Sequence, residues 1–83
     1  MLTYLTYFQP VFDWVNERNI HNAIIIFFTD GGGESTVTMP ENNNRVIWVT
    51  TTDYLSVFDN LKATKGESYV NKYVKRLHVE DQG

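Results

Sequence analysis

The stretch NAIIIFFTDGGGE, Asn22 to Glu34, carries an apolar run straight into an aspartate, three glycines and a glutamate. A carboxylate on flexible backbone at the carboxyl end of a buried parallel strand lies where open α/β sheets bind ligands. Asp30, Gly31, Gly32, Gly33 and Glu34 are therefore the first candidates for a site. Asp53, which ends the second apolar run, joins them if the loops meet at one edge of the sheet, and Asp30, Glu34 and Asp53 around a divalent ion would suit a hydrolase or nuclease. The competing reading is a turn in which Asp30 caps its own backbone and the glycines supply positive φ, and that reading is preferred. Clustered loop carboxylates are also an ordinary consequence of α/β architecture. No Lys-Ser/Thr follows the glycines, so they are not a phosphate-binding loop.

Other catalytic chemistry finds little material. His21 and His78 are far apart and lack the spacing of a known metal motif, so both read as surface or loop histidines. No Ser-His-Asp set or His-Glu-x-x-His pattern is recognisable. Cysteine is absent, which removes thiolate nucleophiles, disulfides and Cys-ligated zinc together. No residue is assigned a catalytic role. Trp14 and Trp48 each sit within an apolar periodic run and are expected in the core.

Eighty-three residues make one domain, residues 1–83. A domain of this size buries only about 60% of the surface its unfolded chain exposes, so a protein partner or homo-oligomer is expected. The 42% hydrophobic content is ample for a folded core. Ten acidic against seven basic residues, net −3, argue against the nucleic-acid backbone as a partner. The opening MLTYLTYFQP has no basic n-region, and the longest apolar run, Ala23 to Phe28, is too short to span a bilayer. No membrane association is expected, and a cytoplasmic location is the default.

The elements that must position these residues follow from periodicity. Val11, Phe12, Trp14 and Val15 recur at helical spacing after Pro10, which predicts a helix from about Pro10 to Asn19. Ala23–Thr29 and Arg45–Thr52 are β-branched runs whose apolar parts lack alternation, as expected of parallel strands buried on both faces. Between them lies a surface excursion with Pro40 and three asparagines, including a short extended segment at Thr36–Met39. Tyr54, Leu55, Val57, Phe58 and Leu61 predict a second helix with Asp53 as N-cap, broken at KGESY. Tyr69–Val79 fits two readings. Val70, Tyr73, Val74 and Leu77 fit a terminal helix packed on its own sheet, while KRLHV fits a final edge strand. The fold class is α/β, a short, mostly parallel sheet flanked by helices and covered on both faces, with at least one edge left open to association.

TYFQPVFDWV, IIIFFTDGGGE and RVIWVTTTD, in that order over Thr6 to Asp53, resemble the carboxyl-terminal half of a von Willebrand factor A (VWA)-like domain, as in predicted bacterial and phage metallopeptidase-like proteins. The resemblance implies a small, partial VWA/Rossmann-like layer fold and a single truncated domain. It also implies a Mg²⁺ site at the carboxyl edge of the sheet, with Thr6 at its threonine position and Asp30 at its TDG aspartate. The family's Asp-x-Ser-x-Ser motif is missing, and Tyr7 follows Thr6 where the family often has an acidic residue. One carboxylate and one hydroxyl satisfy little of the octahedral oxygen shell Mg²⁺ demands, so the metal site is expected to be degenerate and no cofactor is expected in a single chain. Mg²⁺ enters only if a partner chain completes the site in trans. The resulting expectation is a protein-interaction module, or a small phage-type modulator or inhibitor of a host protein. Gly31, Gly32, Gly33, Glu34 and Asp53 are its partner-binding candidates. The alternative is a metal-dependent binding module or hydrolase centred on Asp30.

Overall fold

The computed structural model describes residues 7–31 and 33–80. Its elements run α1 (Gln9–Glu17), β1 (Ile24–Thr29), β2 (Arg45–Thr50), α2 (Ser56–Lys65), α3 (Glu67–Tyr73) and β3 (Val74–His78). The strands form one parallel sheet in the order β1-β2-β3, with Ile26 opposite Ile47 and Ile47 opposite Lys75. The α/β class and the parallel sheet flanked by helices agree with the sequence.

Among the described residues the sheet is covered on one face only, where the sequence predicted two. Phe27 and Thr29 of β1, Val46, Trp48 and Thr50 of β2, and Val74 of β3 are buried, and all share one side of the pleat. Phe12 of α1, Val57 and Leu61 of α2, and Val70 of α3 pack in the same cluster. Both crossovers step in the same direction across the sheet, so a single connection hand places their covering elements on the same side. Phe8, Phe12, Phe27 and Trp48 form the aromatic centre, with ring centroids 5.0–6.3 Å apart. Trp48 Nε1 has no hydrogen-bond partner among the described residues.

The β1–β2 crossover has no helix; a long loop takes its place and is tied down by side chains. Gln9 of α1 accepts from Thr38 N at 2.7 Å and donates to Thr38 O at 3.2 Å. Asn16 accepts from Glu41 N at 3.0 Å. Buried Asn44 donates to Ile20 O and Glu41 O and accepts from Ala23 N, knitting three segments at the amino edge. Asn22, Asn42 and Asn43 adopt positive φ, which short amide side chains tolerate. Thr36–Met39 forms no strand, although Met39 enters the core.

Two further expectations are corrected, and the open one over the last stretch is resolved. Trp14 is 48% exposed, because α1 turns Phe12 and Val15 inward and leaves Trp14 beside the Arg18 guanidinium, 4.3 Å from the ring centroid. Asp53 does not cap α2; the N-cap is Leu55, whose side chain is pulled into the core. The two readings of the last stretch are both realised in part, since Gly66 at φ 89° separates α2 from a seven-residue α3 that runs directly into β3. Leu77 consequently lies on the exposed side of β3 instead of packing inward.

Candidate functional site

The parallel sheet brings the sequence-predicted residues to one edge, but it gives several of them structural work. Glu34 reaches α1, where its Oε1 accepts from Phe8 N and, at 3.0 Å, from Gln9 N. A carboxylate there satisfies two otherwise unpaired amides and complements the positive end of the helix dipole. The turn after β1 is capped by Thr29, whose Oγ1 accepts from Gly31 N at 3.2 Å. Gly31 has φ 93° and lies so close to the loop after β2 that an added Cβ would stand 2.9 Å from Tyr54 O. Gly33 also has positive φ, and Asp30 is exposed. Thr6 and Gly32 lie outside the described residues.

Asp53 faces His78 across the ends of β2 and β3, with Oδ1 3.4 Å from Nδ1, and both side chains are exposed. His78 Nε2 lies 3.2 Å from Thr51 O, a carbonyl that can only accept. Nε2 is therefore the donor to Thr51 O, and Nδ1 is the ring nitrogen that stands beside the Asp53 carboxylate. The Arg76 guanidinium donates to the Asp53 carbonyl, further fastening this corner. No group of three or more His, Asp or Glu among the described residues could hold a metal ion.

The second face of the sheet has a different character. Ile24, Ile26 and Phe28 of β1 are 60%, 53% and 42% exposed, and Leu77 and Val79 beside β2 are 41% and 44% exposed. Register places them in rows: Ile26, Ile47 and Lys75, then Phe28, Val49 and Leu77. The strand residues of this face carry two charges, Arg45 and Lys75, both positive and both toward the amino ends. At that end opens a cleft of about 510 Å³ lined by Arg45, Lys72, Lys75 and Arg76 and by no acid. Four of the seven basic residues of an acidic protein therefore line one cleft.

No family model, curated protein or solved structure matches this chain. What the molecule can do is read from its own surfaces. Scattered single hydrophobes are ordinary on a protein surface, whereas a contiguous apolar sheet face is not. The two edges differ in the same sense. β3 carries Lys75 and Arg76, charged side chains of the kind that blunt an edge, whereas β1, Ile24–Thr29, carries no charge at all. The sequence pointed to the carboxyl-edge loops; the open face was signalled only by the absence of alternation in β1. No helix among the described residues is long and apolar enough to cross a membrane.

Proposed function

We propose that this chain is a protein–protein interaction module, a small modulator that offers the open face of its sheet and the uncharged β1 edge to another polypeptide. The observation that carries the proposal is the row of exposed apolar side chains on β1, Ile24, Ile26 and Phe28, continued by Leu77 on β3. Main-chain pairing along β1 would supply affinity, and the flanking apolar side chains specificity. The VWA-like half-fold reading supports the same conclusion: a doubly wound sheet continues beyond its first strand with helices on the opposite face, and that is the edge and face left open here. The loop residues Gly31, Gly33 and Asp53 would then border the contact. The metal-dependent alternative around Asp30 requires ligands from a second chain, and Glu34 is already committed to α1.

A photo-cross-linking residue placed at position 26 tests the proposal against one placed at position 59, on exposed α2 surface. Position 26 is expected to give a defined protein adduct that excess unlabelled protein competes away and that Leu77→Lys abolishes. Equal labelling from both positions, or no competable adduct from position 26, would reject the open face as the contact. Adduct formation that required Mg²⁺ and was lost in Asp30→Ala would instead favour the metal-dependent alternative.

A further inference from the structure

We infer that the occupant of the open face is a second copy of this chain, packed face to face with its strands antiparallel to those of the first. The inference rests on the interaction reading above and adds the partner and its orientation. Area is the first argument. At the exposures given, Ile24, Ile26, Phe28, Leu77 and Val79 offer on the order of 500 Å², and exposed Arg45 and Lys75 extend the face toward the roughly 800 Å² per partner of a standard interface. Sheets pack face to face about 10 Å apart, which a face that no described element covers permits.

Charge sets the orientation. The face is positive at its amino end, where Arg45 stands in the first row, and Lys75 follows in the middle row beside Ile47, while exposed Asp30, Asp53 and Glu80 stand at the carboxyl end of the sheet. An isologous two-fold between stacked sheets must lie in the plane between them. With the axis along the strands, Arg45 of one copy stands over Arg45 of the other. With the axis across the strands, the basic end of each copy lies over the acidic end of the other, and the pairing occurs twice. Ile26 and Ile47 then cover Phe28 and Val49 in the second copy, while Lys75, the third member of the first row, lies over Leu77 and Arg45 lies at the acidic end. Such a contact closes on itself and leaves no further copy of the face available.

The test is absolute mass by light scattering through a dilution series of the full chain. The wild type is expected to run as a dimer that dissociates on dilution and does so more readily at high salt, because the terminal charge pairs are exposed. Ile26→Lys, at an outward-facing position, is expected to be monomeric with unchanged circular dichroism. Arg45→Glu and, separately, Asp30→Lys are each expected to weaken the dimer more than about tenfold through facing like charges. Mixed in equal amounts, these two variants should recover dimer, because both ends of the mixed pair are complementary. Failure of the mixture to recover overturns the antiparallel arrangement, and a dimer indifferent to Ile26→Lys overturns use of this face. A wild-type monomer at every concentration overturns self-pairing. In that case, hydrophobic-dye binding lost in Ile26→Lys leaves the interaction reading standing with a different partner, whereas a face that binds no dye removes both.

Discussion

Phe27 and Phe28 are neighbours in one strand, identical in chemistry, yet Phe27 is 2% exposed and Phe28 is 42% exposed. The first belongs to the aromatic cluster under α1, and the second lies on the other side of the pleat, away from the helices of the described residues. The pair represents the two faces of the sheet. One face is sealed by α1, α2 and α3, and the other is also largely apolar without a cover among the described residues. A continuous apolar run therefore states that both faces are to be kept from water, but not which molecule does so.

Substitution at these two positions is the sharpest way to break that comparison. Phe27→Ala should cost about 3–5 kcal/mol of unfolding free energy, the usual range for truncating a buried aromatic. Phe28→Ala should cost less than about 1 kcal/mol when read by urea unfolding at concentrations too low for association. Similar losses at both positions would mean that the outer face is covered within the monomer, and the asymmetry on which the interaction reading depends would vanish.

The same asymmetry marks how far the sequence could be read. Ile24–Thr29 and Arg45–Thr50 are legible as parallel strands because β-branched runs of that length between turn signals have few other uses. Their lack of alternation is a true sign of unusual burial, but the step from there to two covered faces presumes that the cover lies in the same chain. Trp14 misleads for a related reason: it falls on the apolar side of a short periodic window, while α1 needs only Phe12 and Val15 to seal its contact. The tail defeats periodicity because seven helical residues and five strand residues follow without a spacer, and Val70, Tyr73, Val74 and Leu77 straddle the junction.

Glu34 shows what local pattern cannot reveal. Its neighbours made it a candidate for partner binding, whereas its carboxylate holds the start of α1, twenty-five residues away in sequence at Gln9. Capping signals are legible when cap and helix adjoin, and this one spans the chain. Glu34→Ala should cost about 1–2 kcal/mol, as loss of a helix cap does, and Glu34→Gln should recover part of that because an amide oxygen still accepts. Thermal unfolding of the three proteins would check the order. Because the cap acts on the covered side, neither change should alter the dilution behaviour of the dimer once folding is complete. A variant that stays fully folded yet loses dimer would move Glu34 back to the contact.

The smallest effect separates the faces by pH. Tyr69 of α3 packs against the core from the covered side, its ring centroid 4.9 Å from that of Tyr73. Burial, and then the neighbouring Tyr73 phenol, push its pKa above the ordinary 10.0. The folded state thus favours the neutral phenol, holding a proton that the unfolded chain releases near pH 10.0. The stabilisation is fully present below that value and is lost as pH rises through the raised folded value. Urea midpoints of the wild type should therefore decline more steeply above pH 10 than those of Tyr69→Phe, while the two run parallel at lower pH. The open face has no tyrosine among its strand residues, so Ile26→Lys should leave this alkaline decline unchanged. An alkaline slope that followed position 26 instead of position 69 would show that the faces are energetically coupled, and the division between a self-sealed face and an offered one would no longer hold.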